Sequence, residues 1–155
     1  RGMVVVKRRY VLFEVLFDAA VRPGAVSDED VLQALAEAMA TNWGDAGEAQ
    51  ATMRLLYWSP ALRLGVVRCA RGTAEELLAA LALVRFVRSR PAQLRVHSAG
   101  GSTRGLQKAS AELLRGWRQR ATARTATPAE AQAVAEGFDV EARLLAEVGR
   151  QGGDF

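Results

Sequence analysis

The sequence predicts an α+β fold in which a four-stranded antiparallel sheet packs against two helices and a helical extension follows. Three observations predict it. Apolar segments occur in the order strand, helix, strand, strand, helix, strand. The two middle strands are separated only by a short turn at Ser59-Pro60. Two further helical segments follow the last strand, and 155 residues are enough for one core with such an appendage.

The first half of the chain predicts a strand, a helix and a hairpin. Residues 4–17 are rich in β-branched and aromatic side chains, and their later part is apolar on both faces, which indicates a central strand. Ser27 precedes three acidic residues and is the expected N-cap of the first helix. Residues 50–58 and 62–70 are expected to pair as antiparallel strands.

The second helix and the last strand complete the core. Thr73 with Glu76 has the pattern of a capping box, and residues 92–99 read as the fourth strand after a break at Arg90-Pro91. The order β-α-β-β-α-β is that of the ferredoxin-like, or split β-α-β, fold. We expect this core to cover residues 3–103. A basic helix and then an acidic helix capped by Thr127 are expected in residues 104–150, and a tail in residues 151–155.

The charge of the chain is segregated. Residues 85–124 carry ten basic residues and one acid, Glu112, whereas the segments before and after them have net charges of −1 and −4. A local excess of nine positive charges favours a polyanionic partner such as nucleic acid, and the alternative is a solvated basic face. No uninterrupted apolar segment of about 18 residues predicts a membrane span.

The basic helix is expected to be two-sided. Helical rotation of about 100° per residue gathers Leu106, Leu113 and Trp117 on one side. Four cations gather within about 80° on the other side: Arg104, Lys108, Arg115 and Arg118.

Groups suited to catalysis are sparse in this sequence. His97 is the only histidine, and its place in a strand favours a structural, hydrogen-bonded role. Cys69 has Arg68 and Arg71 nearby, which would lower its pKa, but its strand position favours a half-buried structural thiol. No cluster of histidine, cysteine and carboxylate residues has the spacing of metal ligands. We therefore expect a protein that is not an enzyme by itself and binds no cofactor.

The turn Gly100-Gly101-Ser102-Thr103-Arg104 permits two interpretations. Its amides at the start of a helix, its hydroxyls and its arginine favour an anion such as phosphate. Plain helix capping explains the same residues, and the spacing of a nucleotide-binding P-loop is absent. Taken alone, capping is the simpler interpretation, but the row of cations that follows favours phosphate binding.

Three motifs resemble the Pop-five family, the small protein subunit of ribonuclease P and ribonuclease MRP in eukaryotes and archaea. They are the start, MVVVKRRY followed by VLFEV; the segment GVVRC followed by Arg71; and the turn GGSTR followed by Gln107-Lys108. The family usually has Thr-Ile where this chain has Ser102-Thr103. The third strand lacks an aromatic residue, so base stacking of the RNA-recognition-motif kind is not expected there.

The resemblance implies a non-catalytic subunit. In this family the RNA subunit, with bound magnesium, removes the 5′ leader of precursor tRNA, and the MRP particle processes precursor ribosomal RNA. The protein would brace that RNA, pair with a TIM-barrel protein subunit, meet other proteins of the particle, and be nuclear or nucleolar in a eukaryote. The alternative is a regulatory or dimerisation module that binds a small anionic metabolite. The residues expected to contact RNA are Lys7, Arg8, Arg9, Gly100, Gly101, Ser102, Thr103, Arg104, Lys108, Arg115 and Arg118.

Overall fold

The structure, a computed structural model, describes residues 7–22, 25–44 and 53–152. The chain divides into two compact units, residues 1–102 and residues 103–155. The elements of the first unit are β1 (Arg8–Phe17), α1 (Asp28–Trp43), β2 (Arg54–Ser59), β3 (Leu64–Ala70), a 3₁₀ turn (Arg71–Thr73), α2 (Ala74–Leu83), β4 (Phe86–Val87) and β5 (Arg90–Gly100). Those of the second unit are α3 (Thr103–Ala123) and α4 (Pro128–Gly152).

The sheet is antiparallel and has the strand order β2-β3-β1-β5-β4. The long first strand is therefore central, as its two apolar faces predict. Without the short β4 the order is that of the split β-α-β core, so the predicted α+β, ferredoxin-like class is confirmed. The predicted first residues of β1 and β2, 4–6 and 50–52, lie outside the described residues.

The fifth strand is a correction to the predicted four. β4 pairs with β5 across Arg88 and Ser89, whose φ angles are +51° and +61°. A two-residue hairpin turn of this kind needs two positive φ angles and is usually signalled by Asn-Gly or Asp-Gly. An Arg-Ser pair lacks that signal, and the predicted break at Arg90-Pro91 is wrong because Pro91 lies within β5. The sequence therefore does not predict this hairpin.

The core lies between the sheet and the two helices of the first unit. Alternate residues of β1 point into it, and Phe13 is fully buried there. Leu35 of α1 and Leu81 of α2 are also fully buried in this cluster. Burial of each such side chain stabilises the fold by about 1.5–3 kcal/mol.

The two predicted helix caps of this unit have different outcomes. Ser27 forms the capping box: its Oγ accepts from the Asp30 amide at 3.2 Å, and the Asp30 carboxylate accepts from the Ser27 amide at 2.9 Å. The capping box at Thr73 is wrong. The 3₁₀ turn puts Thr73 at φ −111°, ψ 5° instead of an extended conformation, and its hydroxyl donates to the Ala70 carbonyl at 3.1 Å.

The second unit is a pair of packed helices. Gln107 of α3 donates to the Ala146 carbonyl of α4 at 3.3 Å, and Leu114 and Leu145 line the groove between them. Thr127 accepts from the Glu130 amide at 3.2 Å, as predicted. α4 continues to Gly152, so the first residues of the expected tail are helical, and residues 153–155 lie outside the described residues. Over the described ranges, no helix is both long and apolar enough to cross a bilayer.

Candidate nucleic-acid interface

The basic residues Lys7, Arg8 and Arg9 lie at the start of the central strand. Arg8 pairs with Ala70 of β3, and the Lys7 carbonyl accepts from the Arg71 amide at 2.9 Å. Because successive side chains of a strand point to opposite faces, the two arginines separate. Arg9 lies on the face that the helices cover and Arg8 on the other, so this predicted group divides into two sites.

Arg9 is brought to the glycine turn by the pairing of β1 with β5. In this register Tyr10 stands opposite Gly100. A Cβ atom at Gly101 would lie 2.6 Å from Nη1 of Arg9, so a larger residue there would force the end of this side chain to move. A Cβ atom at Gly100 would meet nothing within 4 Å. Two motifs that are far apart in the sequence therefore meet, and Arg9 is partly buried instead of fully solvated.

The turn ends where the first unit ends. α3 begins at Thr103, which puts Ser102 in the N-cap position, and both Gly101 and Ser102 are exposed. The first amides of a helix have no intrahelical acceptor and suit either a cap or an anion. The structure is compatible with both interpretations of this turn.

The predicted row of cations on α3 is exposed, but its members differ. Nη2 of Arg118 lies 3.6 Å from the Asp139 carboxylate of α4. Arg104, Lys108 and Arg115 have no carboxylate within 4.0 Å among the described residues. A surface ion pair of this kind is weak, but it gives Arg118 a competing partner.

Arg68 of β3 has an arginine on each neighbouring strand, Arg54 on β2 and Arg8 on β1, and the sequence alone does not predict this grouping. Arg54 of β2 stands opposite Arg68 of β3, and Arg68 stands opposite Tyr10 of β1. Burial, with the charges of Arg8 and Arg54, lowers the pKa of Arg68. We call Arg8, Arg54 and Arg68 the arginine cluster. Alternation along β3 indicates which face Arg68 occupies, but only the strand register shows which side chains it meets.

His97 is held by a hydrogen bond, as predicted. Its Nε2 lies 2.9 Å from the Glu14 carboxylate. The β1–β5 register shifts between Leu12 and Phe13, and His97 is the extra residue of this bulge.

In the part of the chain that the structure describes, no three His, Cys, Asp or Glu side chains group in a way that could hold a metal.

Cys69 is a structural thiol, and this leads to a prediction. It is 2% exposed, and burial raises its pKa more than the Thr73 hydrogen bond and the Arg9 charge lower it. The thiol therefore stays protonated and shielded at neutral pH.

We expect iodoacetamide to leave the native protein unmodified at pH 7.5 and to alkylate it after unfolding, as measured by mass spectrometry. Equal rates in both states would contradict this. Because Cys69 is the only cysteine, the signal is unambiguous.

Comparison with known proteins gives the family. The sequence profile of the Rpp14/Pop5 family matches residues 9–111. The chain belongs to the Rpp14/Pop5 family. The resemblance carried by the three motifs is thus confirmed, and two of those motifs, GVVRC and GGSTR, lie wholly within the matched residues.

Curated relatives come from archaea and from yeasts. Ribonuclease P protein component 2 of Methanocorpusculum labreanum is 34% identical over 101 residues, which are 65% of this chain and 64% of that protein. Ribonuclease P/MRP protein subunit POP5 of Schizosaccharomyces pombe is 30% identical over 121 residues, which are 71% of this chain and 87% of that protein. The match therefore spans slightly less than two thirds of the archaeal relative.

The fold also occurs in a solved ribonucleoprotein structure. A chain in the cryo-EM structure of yeast ribonuclease MRP aligns with a TM-score of 0.50 and 10% identity, over 92% of this chain and 96% of that chain. At this identity the likeness concerns the fold alone.

Proposed function

We propose that this chain is a non-catalytic, RNA-binding subunit of a ribonuclease P/MRP ribonucleoprotein. The family and the names of its relatives support this assignment. The particle's RNA, with bound magnesium, would remove the 5′ leader of precursor tRNA or, in MRP, process precursor ribosomal RNA. The protein would brace that RNA and meet precursor tRNA only indirectly. A TIM-barrel protein subunit is its proposed partner, and in a eukaryote its place is the nucleus or nucleolus.

The contact between Arg9 and Gly101 carries the RNA-binding proposal. The guanidinium of Arg9, whose fork of donors suits a phosphate, lies beside Gly101 of the glycine turn. Exposed Lys7 adds a charge next to it. The exposed cations of α3 form a second set of phosphate contacts in the other unit. Sequence-independent phosphate contacts of this kind suit a protein that braces a folded RNA.

Replacing Gly101 by alanine is expected to weaken RNA binding although no charge is removed. The added Cβ displaces the Arg9 guanidinium, so we expect the affinity for RNA to fall about fivefold. For Arg9→Gln we expect the affinity for RNA to fall about tenfold. The measurement is a filter-binding titration with the in vitro transcribed ribonuclease P RNA of the same organism. Since both changes act through one side chain, the RNA affinity of the double variant should be little lower than that of Arg9→Gln alone.

Gly100→Ala is the matched control, because a Cβ there meets nothing within 4 Å. It should bind RNA as the wild type does. Full additivity of Gly101→Ala and Arg9→Gln would contradict action through one side chain. A wild-type protein that does not bind the RNA, but whose melting temperature rises with small anionic metabolites, would support the regulatory module instead.

A further inference from the structure

The arginine cluster concentrates like charge on the face of the sheet opposite the helices of the first unit. Arg54 and Arg68 stand directly opposite each other, which places their Cβ atoms about 4.5–5.5 Å apart. Directly opposed like charges destabilise a sheet. Among the described residues no carboxylate lies within 4.0 Å of any of the three guanidinium groups. The fold therefore keeps an unfavourable arrangement that no acidic side chain in these ranges compensates.

One nitrogen in the cluster is buried without a hydrogen bond. Nη1 of Arg8 is shielded from solvent and has no acceptor in the part of the chain that the structure describes. Leaving a charged donor unsatisfied is costly, and most buried polar atoms in proteins are paired. An anion bound at the cluster would supply the missing acceptor and offset the repulsion between the three charges.

The three side chains differ in their exposure to solvent. Arg54 is exposed, Arg68 is half-buried, and Arg8 carries the buried nitrogen. Burial, together with the charges of Arg8 and Arg54, lowers the pKa of Arg68. A ligand at this cluster would meet an exposed guanidinium together with a donor that is shielded from solvent. Guanidinium forks suit a phosphate group, which has several acceptor oxygens.

The neighbouring site indicates where that phosphate comes from. Arg8 and Arg9 are adjacent in β1, and Arg9 reaches the glycine turn. An extended polyanion at the start of this strand can therefore contact both faces of the sheet through consecutive residues. RNA, with a phosphate at every nucleotide, has this chemistry. A carboxylate-bearing peptide would satisfy the cluster alone but would not explain the adjacent site.

We propose that Arg8, Arg54 and Arg68 together bind a backbone phosphate of the RNA on the face of the sheet opposite α1 and α2. This site rests on the proposed function and deepens it. It adds a phosphate contact on the sheet to those at the glycine turn and on α3.

The test compares Arg54→Gln and Arg68→Gln with the wild type. Each change is expected to weaken binding of the ribonuclease P RNA about tenfold. The double variant should flatten the plot of log K against log salt by about 0.7–0.9, the effect of losing one phosphate contact. The melting temperature of each variant should equal or exceed that of the wild type, because the substitution relieves repulsion. Weaker binding with undiminished stability distinguishes a ligand site from a structural role.

Arg95→Gln is the matched control. Arg95 is exposed, lies on the same face and stands opposite Glu14, away from the cluster. It should bind RNA within about twofold of the wild type. Arg68→Lys keeps the charge but loses the fork, so an intermediate affinity is expected.

The outcomes separate this site from the proposed function. If the wild type binds the RNA and both cluster variants bind with unchanged affinity and salt slope, the phosphate site is overturned and the proposed function stands. A lower melting temperature with unchanged affinity overturns it too, because the cluster would then be structural. If the wild type itself does not bind the RNA, both proposals are overturned. Among these outcomes, only that result tests the proposed function. Exposed Arg54 keeps the test decisive if Arg68→Gln does not fold.

Discussion

Replacing Gly65 by alanine is expected to lower the free energy of unfolding by about 1–3 kcal/mol, the usual effect of overfilling a packed core. Gly65 of β3 stands opposite Phe13 of β1. A Cβ atom at Gly65 would lie 2.5 Å from Cζ and 2.9 Å from Cε1 of the Phe13 ring. That ring is fully buried in the core and has no free direction in which to move. The measurement is urea denaturation followed by circular dichroism.

The same substitution in a Phe13→Leu variant shows whether the Phe13 ring causes the loss of stability. Leucine at position 13 has no atom where Cζ and Cε1 of the phenylalanine lie. Gly65→Ala should therefore cost less in the Phe13→Leu background than in the wild type. Gly72→Ala is the control, because a Cβ there meets nothing within 4 Å, and it should change stability little. An equal cost of Gly65→Ala in both backgrounds would show that the Phe13 ring is not responsible.

Features that depend on neighbouring residues could be predicted from the sequence. The strand and helix order follows from local periodicity, and the caps at Ser27 and Thr127 follow from side chains three residues apart. The row of cations on α3 follows from helical rotation alone, and the structure shows all four exposed. In each case the interacting groups lie within a few turns of one helix or along one strand.

Features that depend on register could not be predicted. GVVRC resembles a family motif in the sequence, but the reason for its glycine is Phe13 on another strand. The separation of Arg8 from Arg9 follows from the alternation of β1, but the grouping of Arg8, Arg68 and Arg54 on three adjacent strands depends on their pairing. The hairpin at Arg88-Ser89 needs positive φ angles, and these residue types do not predict such angles.

Replacing Arg104, Lys108 and Arg115 together by glutamine is expected to weaken binding of the ribonuclease P RNA about a hundredfold near physiological salt. Each of these exposed cations can make a charge-assisted contact to a phosphate, worth about 1.5–3 kcal/mol before screening. Loss of three contacts should reduce the slope of log K against log salt by about 2–3. Glutamine is a good helix former, so the helix content measured by circular dichroism should not change.

The matched control removes the same charge elsewhere. Replacing exposed Arg90, Arg143 and Arg150 by glutamine lowers the net charge equally, but these residues lie outside the proposed contacts. The RNA affinity of this control variant should fall severalfold and nonspecifically, because the substitutions change only the long-range attraction to RNA. Arg118→Gln alone should cost less than any single change in the row, since Asp139 already competes for Arg118. Equal losses in the two triple variants would show that RNA responds to total charge, and the assignment of this helix face would be wrong.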